Sequence, residues 1–343
     1  MSTECVRSYV QTFSFGKNWK DFLATVDDHV IVEASKDIED WLGTENIQGK
    51  SIVDIGSGSG LSSLCMYQRG CGRLVSFDYD PDSVEATRLL AERAAPAENW
   101  EIFEGSILDE ALVDRLGKFD IVHSWGVLHH TGKMWQAIDN AIRLCAPNAL
   151  LFISIYAAGD RYEEDLALKR RFNAADEATK AEMVRILLKR WSKRFSNENG
   201  YSEKIIRVSR GMTLYHDVVD WLGGLPYEVA SVSEILLFGI NRGLRPLRVC
   251  ESVQGGCSVY LFKKDSNGFM ATRESFEWSS CKNDKKEERN LEHQLSEDLS
   301  RAYKAVQRQR SALELRRDLK DFLNRNARRC LGTIRQRLFL HSY

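Results

Sequence analysis

The stretch VDIGSGSG, residues 53–60, constrains this chain more than any other. An apolar run stops at three glycines spaced two apart, and LSSLCMYQRG follows with the pattern of a helix ending in glycine. A strand handing over to a helix through an open turn fits that order. In open α/β sheets ligands bind there, outside the carboxyl ends of the strands. The next residues keep the rhythm. RLVSFDYD, WEIFEG, FDIVHSW and ALLFISIY read as strands, while VEATRLLAERAA and MWQAIDNAIRLC have helical spacing. Strands alternating with helices of about a dozen residues need right-handed crossovers and predict a parallel sheet. A helix at 232–242, the strand LRPLRVCESV, Gly255-Gly256 and the strand CSVYLFKK then predict an antiparallel hairpin closing one edge.

Around this core, residues 1–50 form an aromatic-rich lead-in (FSFGKNWKDFL, 13–23) followed by a helix carrying Val30, Ile31, Ala34, Ile38, Trp41 and Leu42. The domain proper runs over 51–264 and is interrupted by a charged helical insertion at 157–231. Residues 265–343 read as linker (265–283) and a basic amphipathic tail. Positions 299–343 hold twelve Lys/Arg against three Asp/Glu, although the whole chain carries a net charge of −1. That tail suits a solvated helix covering the domain or a coiled coil, and also a homodimer contact, an anionic membrane or a phosphate backbone. Eight scattered cysteines with no C-x-x-C give no disulfide framework and no thiolate metal site. The opening MSTECVRSYV lacks a basic start followed by an apolar run, and no apolar stretch approaches transmembrane length. The expectation is a cytoplasmic protein with reduced thiols.

The glycine spacing narrows the ligand. A dinucleotide fingerprint beginning at Gly56 needs glycine at 61, where Leu61 stands; beginning at Gly58 it meets Ser63. The G-K-[ST] of a phosphate loop is also missing. Asp54, two residues before the first glycine, suits an ammonium and repels a pyrophosphate. Asp78 ends the second strand, eighteen residues after Gly60, where an acid accepts both hydroxyls of an unphosphorylated ribose. A ribose, an ammonium and no phosphate describe S-adenosylmethionine.

VDIGSGSG, LVSFDYDPDSV, EGSILD and FDIVHSWGVLHHTG, in that order and spacing, resemble the cofactor motifs of the class I S-adenosylmethionine-dependent methyltransferases. The resemblance covers about 51–156, and 232–264 fits that family's closing hairpin. It implies a Rossmann-like, doubly wound sheet of seven mostly parallel strands, the last antiparallel, with a helical insertion and a C-terminal helical tail. It also implies that Asp54, Gly56, Ser57, Gly58 and Gly60 face the methionine end and that Asp78 and Tyr79 meet the ribose. Ser106 and Ile107 would flank the adenine, and Ser124, Trp125 and Gly126 would border the pocket. Ser106 stands where the family often has an acid, and PNA (147–149) replaces its Pro-Gly-Gly turn. Aromatic faces attract a sulfonium, so Phe15, Trp19 and Phe22 of the lead-in are candidates to cover it.

Three of the seven histidines fall between 123 and 130. His123 belongs to the fourth strand and reads as a core residue. His129 and His130 follow it at the pocket mouth without supporting carboxylates or cysteines at ligand spacing, so no metal is expected. An imidazole suits removal of a proton from a hydroxyl acceptor; His130 is the first candidate base, and His216 with Asp217 or Asp220 in the insertion is the second. The absence of Asn/Asp-Pro-Pro-aromatic after strand four argues against methylation of DNA base amines. The lack of Pro-Cys removes cytosine C5 chemistry, and the lack of C-x-x-x-C-x-x-C removes radical use of the cofactor. The expectation is O-methylation of a small molecule or glycan precursor. A macromolecular acceptor recruited by the tail, or a catalytically silent cofactor-binding scaffold, is the alternative.

Overall fold

The computed structural model describes residues 13–93, 98–195, 209–252, 255–265 and 277–280. Two lead-in helices come first, α1 (Phe15–Leu23) and α2 (Asp28–Leu42), then the single turn α3 (Thr44–Ile47). The alternating core follows: β1 (Ser51–Ile55), α4 (Leu61–Gln68), β2 (Arg73–Asp78), α5 (Pro81–Ala91), β3 (Trp100–Glu104), α6 (Glu110–Leu116), β4 (Phe119–Trp125), α7 (Met134–Arg143) and β5 (Cys145–Tyr156). The insertion supplies α8 (Tyr162–Ala174), α9 (Glu177–Phe195) and α10 (Leu214–Gly223). After α11 (Val232–Ile240) come β6 (Leu244–Glu251), β7 (Cys257–Lys264) and β8 (Glu277–Ser280).

Local chemistry sets many of these boundaries. The Asp27 side chain accepts from the Val30 amide and starts α2. Asp80 caps α5, with Pro81 in the first turn where its missing N–H costs nothing. Ser231 and Glu234 close a reciprocal capping box on α11.

One sheet runs β3-β2-β1-β4-β5-β7-β6-β8. The pairs β1–β2, β2–β3, β1–β4 and β4–β5 are parallel, whereas β7 is antiparallel to both β5 and β6. Helices cover both faces, which is why β1 reads as an unbroken apolar run with Ile52, Val53 and Ile55 all buried. The seven-stranded doubly wound sheet with an antiparallel β7 is therefore present. An eighth strand extends it: β8, inside the stretch read as linker, pairs in parallel with β6. An edge strand offers unpaired backbone groups, and β8 pairs with the second half of β6, Arg248–Glu251. The β6–β7 hairpin inserts β7 between β5 and β6, and β8 lies on the other side of β6.

The main core packs α2, α4 and α5 against the sheet through Ile38, Leu64, Leu74 and Leu90. The insertion buries an apolar cluster of its own, with Phe172, Leu187, Leu214, Val218 and Trp221 joined to Tyr156 at the end of β5. It is a packed helical unit beside the carboxyl end of the sheet. Among the described residues no helix is long and apolar enough to cross a membrane. The tail and most of 265–343, like residues 1–12, lie outside the described residues.

Candidate active site

The reversal of strand order on either side of β1 opens a crevice at the carboxyl ends of the strands. A cavity of about 690 Å³ occupies it. Its floor is the turn from β1 to α4. The amides of Gly56 and Ser57 donate to the Phe77 carbonyl at 2.8 and 3.2 Å, pinning the turn to β2. Gly56 has φ +71°, and a Cβ there would lie 2.4 Å from the Val127 methyl groups. Gly58 has φ +56°, and a Cβ would meet Trp19 Nε1 at 3.1 Å. Gly56, Ser57 and Gly58 line the cavity. Gly60 does not, which corrects its expected ligand contact: a Cβ there would lie 2.9 Å from the Thr87 backbone, so its role is close packing of α5 on the turn.

Asp78 lies against Gly58 on the cavity wall. Its Oδ2 accepts from the Gly58 amide and its Oδ1 from the Asp80 amide, both at 2.9 Å. Burial nonetheless pushes its carboxyl up to about 6, against those two bonds. Such a carboxylate gains from further donors, and a vicinal diol supplies two. Tyr79, Ser106 and Ile107 line the same end of the cavity, Tyr79 largely exposed and Ile107 buried.

Asp54 also reaches the cavity wall, but its carboxylate is already engaged. Oδ1 is 2.7 Å from His123 Nδ1, and Oδ2 accepts from the Ser63 hydroxyl at 2.5 Å. His123 is thus buried in the sheet, as expected for a core histidine, yet it also lines the cavity. Ser124, expected at the border, is fully buried and donates to the Ile55 carbonyl at 3.0 Å. Strand alternation turns it away from the crevice, whereas Trp125 and Gly126 line it.

The lead-in closes one wall. Phe15, Trp19 and Phe22 line the cavity together with Phe13. Helix α1 is fastened over α5 by the Gly16 amide on Asp80 Oδ2 (2.9 Å) and by Lys20 on Asp82 (2.6 Å) and Glu85. The insertion contributes Arg210, Met212, Asp220 and Leu225.

The histidines separate cleanly. His130 lines the cavity, and its Nδ1 donates to the Pro226 carbonyl at 2.7 Å. A carbonyl only accepts, so the Nδ1 proton is fixed and Nε2 carries the lone pair; that atom is buried without a partner. Burial and the nearby Lys169 hold the imidazole down at about 3, hence neutral. His129 is corrected from pocket mouth to core: it is fully buried, accepts from the Tyr156 amide at 3.3 Å and does not line the cavity. His216 is also corrected. Its Nδ1 is 2.5 Å from Thr213 Oγ1, the cap of α10, its ring packs on Phe22, and it lies away from the cavity. No Asp217 or Asp220 contact orients it.

Sequence reasoning missed Arg210 and gave Asp220 only a supporting part. Asp220 lines the cavity with Oδ1 buried and unpartnered. Burial raises it to about 7, with Asp217 adding and Lys169 opposing. Lys169 is fully buried, donates to the Trp221 carbonyl and sits over the rings of Trp221, Tyr227 and Tyr156 at 4.4, 4.6 and 5.3 Å. Nothing local in RGMTLYHDVVDW tells which acid turns inward. Among the described residues no group of three His, Cys, Asp or Glu side chains is placed to hold a metal ion.

This strand order, with a glycine turn after β1 and an acid ending β2, defines a class I S-adenosylmethionine-dependent methyltransferase. The chain belongs to the methyltransferase-domain family, whose match spans residues 27–198. The chain is similar to the ribosomal protein L11 methyltransferase of Vibrio campbellii, 31% identical over 83 residues, which are 22% of this chain and 28% of that protein. It thus spans less than a third of that relative's length. Among solved structures it is similar to an O-methyltransferase family protein from Burkholderia thailandensis (17% identity, TM-score 0.45, covering 74% of this chain and 60% of that one). A second is the magnesium protoporphyrin IX methyltransferase of Synechocystis with bound S-adenosylhomocysteine (14% identity, TM-score 0.40, 73% and 84% covered).

Proposed function

We propose that the enzyme methylates a hydroxyl of a small molecule, with His130 as the proton acceptor. The residues fit the cofactor: Gly56, Ser57 and Gly58 leave backbone room, Asp78 offers its strained carboxylate to the ribose, and Ser106 and Ile107 flank the base. Asp54, held by His123 and Ser63, lends negative charge to the amino-acid end, while Trp19 and Trp125 wall that end. S-adenosylmethionine bound here supplies an electrophilic methyl group on a sulfonium sulfur.

The observation that carries the reading is the neutral His130 imidazole on the cavity wall, its Nδ1 proton fixed on the Pro226 carbonyl and its Nε2 lone pair unpartnered. A hydroxyl donating to that atom is oriented with an oxygen lone pair free to attack, and orientation supplies much of the acceleration in such a displacement. As oxygen gains carbon its proton becomes strongly acidic, so even an imidazole near 3 accepts it. Phe13, Phe15 and Leu225 beside His130 make an apolar wall, which suits a compact acceptor.

The test is incubation of the protein and a metabolite extract with isotopically labelled methyl donor, followed by mass spectrometry. Label on a small-molecule oxygen is expected, and His130→Gln should lower its rate about 10²- to 10⁴-fold with unchanged S-adenosylhomocysteine affinity. Label only on nitrogen, protein or RNA refutes the proposal.

A further inference from the structure

The cavity wall is electrically lopsided. Asp54, Asp78, Asp80, Asp82 and Asp220 all line it, and among the described residues Arg210 is the one lysine or arginine that does. Among the described residues, an anionic end of any ligand has a single permanent cation to meet there.

Arg210 is built in with care. Its side chain is 16% exposed. The guanidinium carbon lies 3.6 Å from the centroid of the Trp125 ring, so the plane of the group is fixed by stacking. One Nη2 hydrogen goes to the Ser62 hydroxyl at 2.7 Å, and Nε is 3.5 Å from Asp37 Oδ2. That carboxylate oxygen makes no hydrogen bond, so the arginine is not consumed by a bidentate ion pair. Nη1 has no hydrogen-bond partner among the described residues. The backbone of Arg210 is left-handed (φ +64°), which is costly for a residue with a Cβ. The following Gly211 allows the turn to press against α2, where a Cβ would lie 2.7 Å from Val30 Cγ1.

Position says which ligand end arrives. Asp78 ends β2 and Ser106 follows β3 on one side of β1, whereas Trp125, the platform under Arg210, ends β4 on the other. A nucleoside held on the Asp78 side directs its amino-acid substituent toward Arg210.

We propose that Arg210 is a carboxylate-binding residue that anchors the amino-acid end of the cofactor, delivered to the site by the insertion rather than by the sheet. The inference rests on the cofactor reading above. An oriented guanidinium with a free edge is matched to a planar carboxylate, and a charge-assisted bond in a site screened from water is among the stronger polar contacts.

The experiment is calorimetric titration of the full chain and of Arg210→Met with two probes, S-adenosylhomocysteine and 5′-methylthioadenosine. The second keeps the nucleoside and a thioether but lacks the carboxylate. The expected result is affinity for S-adenosylhomocysteine reduced about 10- to 100-fold in the variant, with affinity for methylthioadenosine unchanged. Equal loss for both probes makes Arg210 a packing residue and overturns the proposal, as does no loss for either, which would leave its charge to an acceptor carboxylate. If the unaltered protein binds neither probe, the cofactor reading falls first and this inference with it. Arg210→Lys, which keeps the charge without the fork, should recover part of the lost affinity.

Discussion

His123 Nδ1 lies 2.7 Å from Asp54 Oδ1, and the two residues, 69 positions apart, are direct partners in the parallel β1–β4 register. The pair ties the acid before the glycine turn to the strand that carries the pocket's far border. Both side chains are almost wholly buried.

Removing the imidazole should therefore cost stability. His123→Phe leaves Asp54 Oδ1 without a partner in the core, with an expected loss of about 1–3 kcal/mol. A lower urea midpoint with unchanged slope would show it; an unchanged midpoint would mean that the bond contributes nothing.

Cofactor binding should depend on pH through Asp78. Burial holds its carboxyl at about 6. Ribose hydroxyls donate to the ionised form, so S-adenosylhomocysteine affinity should fall about tenfold between pH 7 and pH 5. Calorimetry at the two pH values measures this, and Asp78→Asn should bind weakly with that dependence gone. The raised value also means that the folded chain holds a proton the unfolded chain releases. Between about pH 4 and 6 this group makes stability fall as pH rises.

Lys169 has the opposite sign. Burial lowers it to about 7, so the unfolded chain binds the extra proton between that value and the ordinary lysine range. Its contribution to stability should grow as pH rises from 7 toward 10. Urea midpoints across that range should climb for the natural protein relative to Lys169→Met; parallel curves would mean that burial does not lower Lys169 in the folded chain.

Gly224 tests the base without touching it. Its φ of −55° suits alanine, but a Cβ would lie 2.5 Å from His130 Cε1 and 3.0 Å from Nε2. Gly224→Ala should displace the imidazole and lower methyl transfer to the acceptor found by labelling about 10- to 100-fold, while S-adenosylhomocysteine affinity stays within about twofold. Normal transfer by this variant would remove His130 from the chemistry.

The parts legible in the sequence were those set by neighbours along the chain. The turn at 53–60 needs positive φ at Gly56 and Gly58, and few residues besides glycine accept that, so its place after β1 could be read directly. Asp78 ends a short apolar strand that is visible in RLVSFD. Apolar periodicity also announced the order of strands and helices, including the hairpin after α11. The eighth strand was not legible, because β8 is four residues long and exists by pairing with an exposed edge.

Which histidine faces the cavity was beyond local pattern. His129 and His130 are adjacent and chemically identical, yet one is turned into Tyr156 and the other toward the crevice by a single 3₁₀ turn. HDVVD looked like an oriented base, but α1 packs over His216 and its Thr213 cap takes the ring nitrogen, leaving Asp220 to reach the site. Arg210 carries no motif at all; stacking on Trp125 from a different part of the chain makes it part of the cavity. The sequence by itself determined the strand–turn–helix frame and the acids that end its strands, because dihedral preference and apolar period act over a few residues. Only the tertiary structure decided which charged and titratable side chains share the crevice, because that depends on burial and on partners tens to hundreds of positions away.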